Sequence, residues 1–509
     1  MSTANICILI SIIAYLIFVI GIGIFFAKKN NSTKDFYLGG RGLGPFVTAM
    51  SAEASDMSSW LLMGLPGVAY VSGIADAAWT AIGLAVGTYI NWLIVAKRLR
   101  KYTEIAGDST TIPEFFSKRH RDGRNVLSLI AALVIVIFFV PYTASGFAAC
   151  GKLFNSLFGT DYFTAMIISA VVIVLYTTLG GFLAASTSDF MQSIVMTIAL
   201  IVVLGFGTFS AGGIGAVMEN AKAIPGYLSF TSLYSDGQAV SYSPISIVST
   251  FAWGLGYFGM PHVILRFMAI KDSKKLKLSR RIATVWVVIS LTVAVFIGII
   301  GNSMTKAGVL TSLSDSETII IEIAKLVSMH GVLAAIIAGV ILAGILAATM
   351  STADSQLLAA SSSVSKDIIT DFFGLKISNK AAMIIARLTV VAISVVAVFI
   401  AHDPDSSVFT IVSFSWAGFG ASFGPVVLFS LFWKRTNKWG ALAGMLSGGI
   451  MVFVWKFLIK PLGGVLNIYE LLPAFIVACI FVVVVSLITP APSKEITDEF
   501  ELAKKAALN

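Results

Sequence analysis

Charge is what this chain has least of. Of its 509 residues only 12% are Asp, Glu, Lys or Arg, against 57% hydrophobic, and its mean hydropathy is +0.92. A soluble domain carries roughly 25% charged and about 45–50% apolar residues, so no single water-soluble core can hide this much apolar surface. Cysteine is nearly absent as well. Cys7, Cys150 and Cys479 fall inside apolar stretches without CxxC spacing, which excludes a disulfide framework and a thiolate metal site. Four histidines, with no nucleophile–base pair or metal motif at working spacing, leave nothing for an intramembrane enzyme, and no catalytic residue is assigned. The net charge of +9 does not point to nucleic acid. Lys and Arg gather in a few short segments between apolar blocks, as cytoplasmic loops do under the positive-inside rule.

The apolar residues come in blocks of about 20 or more, enough to cross a hydrocarbon core of roughly 30 Å. Lipid offers their backbones no hydrogen-bond partner, so each block has to be helical. Thirteen spans are expected, near 5–27, 45–70, 74–96, 124–150, 161–183, 189–210, 243–269, 282–304, 330–365, 381–402, 407–432, 437–459 and 468–489. The first has no basic stretch before it and no small-residue cleavage site after it, unlike a secretory signal peptide. Basic residues then alternate. Lys28, Lys29, Lys34 and Arg41 follow the first span, and Lys97, Arg98, Arg100, Lys101, Lys118, Arg119 and Arg121 the third. Lys271, Lys274, Lys275, Lys277, Arg280 and Arg281 follow the seventh, and Lys434, Arg435 and Lys438 the eleventh.

An odd count, with the N-terminus outside and the C-terminus cytoplasmic, puts all four groups on one side of the membrane. The segments 211–241, 305–329 and 403–406 on the other side are poor in Lys and Arg. The first two have room for short surface helices. The charged tail from about Pro490 reads as a frayed helix carrying no signalling domain. The expected setting is the cell (inner) membrane, multi-pass, with the bilayer and a small solute as partners, no nucleic acid, and a functional monomer.

Two spans carry interruptions. In the second, Ser51-Ala52-Glu53-Ala54-Ser55-Asp56-Met57-Ser58-Ser59-Trp60 places two carboxylates and four serines in membrane. In the seventh, Trp253-Gly254-Leu255-Gly256-Tyr257-Phe258-Gly259 precedes Pro261, and three glycines with a proline lower the cost of leaving the helix. Paired broken spans point to a binding site in an inverted-repeat carrier. There, exposed carbonyls replace part of a cation's water shell, and half-helix N-termini favour an anionic group. Plainer readings exist: Asp56 as a half-helix cap, and the glycines as close packing. In the ninth span Ser351, Asp354 and Ser355 stand at i, i+3 and i+4 and share one face, where hard oxygens suit a hard cation. The alternative is hydroxyls bonding back to their own helix, which does not accommodate Asp354. Asp189, at the start of the sixth span, is a further candidate or a simple cap.

Tyr37-Leu38-Gly39-Gly40-Arg41, Ala54-Ser55-Asp56-Met57-Ser58, Trp60-Leu61-Leu62-Met63-Gly64-Leu65-Pro66-Gly67, the glycine-rich seventh-span motif and Gly440-Ala441-Leu442-Ala443-Gly444-Met445 resemble the sodium/solute symporter family, in order and over nearly the whole chain. The resemblance implies an all-α polytopic membrane protein of leucine-transporter type, a 5+5 inverted repeat with one span before and two after. The segments then read as 1–44 (first helix and cytoplasmic loop), 45–210 (first repeat), 211–242 (outer loop), 243–432 (second repeat), 433–489 (two last helices) and 490–509 (cytoplasmic tail). It also implies sodium-coupled uptake of a small amino acid, L-proline first, by alternating access, with Na+ as coupling ion and no organic cofactor.

In that picture sodium takes the carbonyls of Ala54, Met57 and Ala348 and the hydroxyls of Ser351 and Thr352, with Asp56 supporting its affinity. Asp189, with Asp354, Ser355 and Glu53, makes a possible second cation site. Ser58, Trp60, Tyr142, Trp253, Tyr257 and Pro261 serve the substrate, and Arg41 serves gating on the cytoplasmic side. The chain departs from the family's proline pattern where Glu53 and Ser59 replace glycines, Met260 a glutamine and Asp354 a small polar residue. Two added carboxylates would strengthen a cation site, permit proton coupling or attract a more cationic solute. The alternatives are another amino acid, a betaine, a carboxylate or a vitamin as solute, or a transporter-like sensor.

Overall fold

The computed structural model describes residues 2–27 and 33–508. Lys28 and Lys29, and the side chain of Lys34, lie outside the described residues. Among the described residues ten helices are long and apolar enough to cross a membrane, and Tyr162–Thr178 is a shorter apolar one.

α1 (Thr3–Ala27) is an apolar rod. The short α2 (Thr33–Leu38) leads to a broken segment made of α3 (Pro45–Ser59), a widened turn at Trp60–Gly64 and α4 (Leu65–Ser72). α5 (Ile74–Ile90) passes through a second widened turn into α6 (Ala96–Ile105), followed by α7 (Ile112–Arg119), α8 (Val126–Phe158) and α9 (Tyr162–Ser210). After α10 (Gly213–Lys222) comes an antiparallel hairpin of β1 (Ser232–Ser235) and β2 (Gln238–Ser241), with Ser232 opposite Ser241. The second broken segment is α11 (Pro244–Phe251), a 3-10 stretch at Ala252–Phe258 and α12 (Pro261–Ala269). α13 (Leu276–Lys306), α14 (Ile319–Ser328), α15 (Val332–Ser362), α16 (Asn379–Ile400), α17 (Val408–Phe432), α18 (Lys438–Val454), α19 (Leu471–Ile488) and α20 (Lys494–Leu508) complete the chain.

α15 is the central helix, packed along α9, α1, α8 and α3. Residues 341–363 are buried without exception. Their run of Ala, Gly and Ser keeps the helix thin enough for four neighbours to approach its backbone, the usual device where lipid removes the hydrophobic drive between helices.

Three features differ from expectation. The spans near 161–183 and 189–210 join directly within α9, two helices that meet at a kink at Gly181 (φ +68°, ψ −175°) with no loop between them. Only glycine enters that region without steric cost. Asp189 therefore lies inside a helix and caps nothing. The outer segment after α10 contains a β-hairpin, a small exception to the all-α plan. The tail is docked, not frayed: Ile496, Phe500 and Ala503 form one buried stripe. Phe500 lies 6.4 Å from the Tyr102 ring and beneath the guanidinium groups of Arg98 and Arg119, and Glu499 accepts from Arg121 at 2.7 Å.

Candidate functional site

The break in the second segment falls at Ser58 (φ +37°, ψ −173°), a left-handed backbone that a non-glycine residue adopts only when its surroundings enforce it. Its hydroxyl accepts the amide of Trp60 at 3.1 Å, and the carbonyl of Met57 accepts the same amide. Just before the break the Ser351 hydroxyl of α15 donates to the carbonyl of Ala54 at 2.8 Å and to that of Ala348 at 3.1 Å. The Thr352 hydroxyl beside them is buried with no partner among the described residues. Ala54, Ala348 and Ser351 are thus in direct contact across 297 positions of sequence. Their neutral oxygens are the donors a small hard cation takes.

Asp56 points the other way. Oδ2 accepts from the Tyr257 hydroxyl at 2.6 Å, Oδ1 is buried and unpartnered, and its own carbonyl accepts from Tyr142 at 3.1 Å. Among the described residues no helix amide donates to its carboxylate, so it is not acting as a cap.

Tyr257 belongs to the second break. There the chain is 3-10 from Ala252 to Phe258, extended at Met260 and helical again from Pro261, the first residue of α12. The freed carbonyls find side chains: Trp253 O accepts Trp416 Nε1 at 2.8 Å and Tyr257 O accepts Asn91 Nδ2 at 3.0 Å. Gly254 meets Gly87 backbone to backbone, and a Cβ on Gly87 would sit 2.3 Å from the Gly254 carbonyl. The glycines of this motif therefore serve close packing and helix breaking together.

Trp60 and Trp253 are in ring contact at 5.5 Å, and both touch Phe409, while Tyr469 stacks on Trp253 at 5.0 Å. Trp253, Phe409 and Tyr469 line a cavity of about 770 Å3 that also holds Asp76, Lys456, Lys460 and Glu470. The same end of the molecule is tied by Glu317. Its carboxylate accepts from Lys152 at 2.8 Å, from the Ser407 hydroxyl at 2.9 Å, and from the amides of Val408 and Phe409 at 3.0 Å each. It caps α17 and holds it to α8.

Asp189 and Ser355 come together around Arg266 of α12. Nη2 contacts Asp189 Oδ2 at 3.1 Å and Ser355 Oγ at 2.5 Å; Nε reaches Ser51 Oγ at 3.1 Å and Nη1 the His262 carbonyl at 2.7 Å. Asp354 accepts from Ser355 at 3.2 Å. One oxygen of each aspartate, Asp189 Oδ1 and Asp354 Oδ2, has no partner among the described residues. A guanidinium thus already occupies part of the region expected to hold a second cation. Glu53 does not join this cluster. Ser51 and Glu53 are two residues apart on α3, about 200° around it. Glu53 Oε1 instead accepts from Trp92 at 2.8 Å, with Oε2 buried and unpartnered.

At the basic end Arg41 (φ +56°) is buried between elements. It binds Asp108 at 3.0 Å, the Met268 carbonyl at 2.6 Å and the Ser109 carbonyl at 2.9 Å. Glu114 bridges Lys118 at 2.5 Å and Lys366 at 3.2 Å, Thr111 donates to Asp367 at 2.7 Å, and Tyr37 bonds Ser365. The widened helical stretch Ser363–Phe372 that continues α15 is thereby held to α2 and α7. Arg266, Trp92 and Glu317 were assigned no role from the sequence. Arg266 had a signal, an ionisable side chain inside an apolar segment. The partners of Trp92 and Glu317 lie on other helices and leave no local trace.

A sodium:solute symporter family model matches residues 36–448. The chain belongs to the sodium:solute symporter family. It is a multi-pass cell-membrane transporter and not an enzyme. It is 43% identical over 488 residues to the osmoregulated proline transporter OpuE of Bacillus subtilis (strain 168), covering 96% of each chain. With the high-affinity proline transporter PutP of the same organism it shares 44% over 480 residues, 94% of this chain and 98% of the relative. With a sodium/proline symporter of Staphylococcus aureus (strain USA300 / TCH1516) it shares 42% over 490 residues, 95% and 93%. Among solved structures, a substrate-bound, outward-open Na+-coupled sialic acid symporter superposes with a TM-score of 0.78 at 18% identity, covering 96% of this symporter and 99% of the other. At that identity the likeness concerns the fold.

Proposed function

We propose that this symporter takes L-proline into the cell together with Na+ by alternating access. The relatives named for proline transport span nearly the whole chain. The observation that carries the mechanism is the meeting of Ala54, Ala348 and Ser351 at the broken second segment. Sodium at the carbonyls of Ala54, Met57 and Ala348 and the hydroxyls of Ser351 and Thr352 replaces the shared hydroxyl proton contacts and holds α3 against α15. Asp56 supplies the negative field and, through Tyr257, ties ion binding to the seventh segment. The solute then lies by Ser58, Trp60, Tyr142, Trp253, Tyr257 and Pro261, where both helices are open. Asp189, Asp354 and Ser355 form a second, Arg266-filled cation region. Arg41 closes the basic, cytoplasmic end.

The topology we propose has thirteen spans, outside N-terminus and cytoplasmic C-terminus, with α9 counted twice at Gly181 and each broken segment once. Residues 45–210 and 243–432 are the two inverted repeats, and 211–242 is the outer loop between them. Residues 1–44 precede the repeats; 433–489 and the tail 490–509 follow. The unit of function is the monomer.

One Na+ gains about 2.3 kcal/mol per 100 mV of membrane potential, and a tenfold gradient adds about 1.4 kcal/mol. About 3.7 kcal/mol sustains roughly 500-fold accumulation. The test is uptake of radiolabelled proline by purified protein in liposomes, with and without an inward sodium gradient, beside a panel of other amino acids, betaine, carboxylates and vitamins. Proline uptake that ignores sodium, or a panel member that displaces proline as the preferred solute, overturns the reading.

A further inference from the structure

A strongly apolar cavity lies apart from the residues assigned to transport. It is a groove of about 500 Å3 on the outer face of the bundle, between α9 and α13, with Leu200, Val285, Trp286 and Ile289 among its walls and Met50 of α3 at its floor. Its polar groups are already satisfied: Trp286 Nε1 donates to Thr197 at 2.9 Å, and Ser290 donates to the Trp286 carbonyl at 2.7 Å. The walls therefore offer nothing to a polar solute and suit an acyl chain. Arg281 stands at the mouth, on the same face as Val285 and Ile289 at i+4 and i+8. It is exposed and makes no ion pair among the described residues. Around it the segment 271–281 holds Lys271, Lys274, Lys275, Lys277, Arg280 and Arg281 against a single acid, Asp272, whose carboxylate caps the amide of Lys274.

We propose that this groove is a binding site for one anionic phospholipid, its acyl chain between α9 and α13 and its phosphate on Arg281. Two complementarities select the occupant: an apolar channel between two membrane-length helices, and at its mouth a cation with no ion pair among the described residues. Basic pockets between membrane helices at the cytoplasmic surface hold anionic headgroups for this reason. Because Met50 belongs to the helix carrying Ala54 and Asp56, the bound chain abuts the back of the sodium-site helix. The inference stands whatever solute is carried.

The experiment is native mass spectrometry of the purified full-length protein titrated with phosphatidylglycerol and, separately, phosphatidylcholine of the same acyl chains. Phosphatidylglycerol is expected to be retained in preference. Arg281→Ala should lower its retention by about fivefold, the effect of one basic side chain at an anionic surface, and leave phosphatidylcholine unchanged. Val285→Trp, which fills the groove, should lower both. Glycerol 1-phosphate, the headgroup without tails, should not displace the lipid. Equal retention of the two lipids by the unaltered protein overturns the proposal. So does an unaffected Arg281→Ala or Val285→Trp, each checked for an unchanged unfolding temperature, or displacement by glycerol 1-phosphate.

Discussion

Replacing Asp56 by Ala tests the ion site most directly. The carboxylate is buried, bonded among the described residues to the Tyr257 hydroxyl alone, and lies within one turn of the Ala54 and Met57 carbonyls. At about 4–8 Å and an effective dielectric of about 20, its attraction for a bound Na+ amounts to about 2–4 kcal/mol. Losing it should raise the sodium concentration for half-maximal uptake by about 30-fold to 1,000-fold. The Tyr257 hydroxyl left without its acceptor costs about 1–3 kcal/mol, so Tyr257→Phe serves as a control that keeps the charge. The assay is the initial rate of proline uptake into proteoliposomes against sodium concentration at saturating proline. The expected result is a large rightward shift for Asp56→Ala, a small one for Tyr257→Phe, and a similar maximal rate for both. An unchanged sodium dependence in Asp56→Ala removes this carboxylate from ion binding.

Arg266→Gln leaves the Asp189 charge buried and unpaired, and should cost about 3–5 kcal/mol, read as a lowered unfolding temperature in detergent. Arg266→Gln with Asp189→Asn should recover most of it, and a double variant no more stable than the single one sinks the pairing. Glu53→Gly frees Trp92 and removes one of two neighbouring carboxylates, so the preference among Na+, Li+ and H+, or among solutes, should change. Identical profiles across cations, pH and the solute panel reduce Glu53 to a tolerated residue. Arg41→Gln gives up ties to Asp108 and to the Met268 and Ser109 carbonyls. Proline efflux from preloaded proteoliposomes should accelerate by about tenfold, the effect of about 1.4 kcal/mol; unaltered efflux places the closure elsewhere.

The two broken segments were legible in the sequence because breaking a membrane helix needs visible means: carboxylates and serines around Ser58, and glycines with Pro261 in the other. The meeting of Ser351 with Ala54 was implied by the family resemblance, whereas helical spacing alone grouped Ser351 with Asp354 and Ser355. What stayed hidden depends on contacts between distant helices. Nothing near Asp189 announces that Arg266 will occupy its neighbourhood, and Glu53 looked like a member of that cluster until the rotation of α3 turned it toward Trp92. The direct joining of the two helices of α9 was equally illegible, since a kink at one glycine and a short loop leave the same apolar pattern. The hairpin after α10 sits in a segment whose polarity signals only that it is outside the core, and the tail's apolar stripe does not say which surface receives it.

Glu317 joins α8, α14 and α17 through a single side chain. One donor from α8 and three from the start of α17 converge on its two oxygens, so losing them all would strand a charge away from water. Because Glu317 itself lies just before α14, any movement that parts α17 from α8 makes it either release Lys152 or uncap α17. One carboxylate thus makes the positions of three helices interdependent, and whichever neighbour leaves first gives up either its charge partner or its cap.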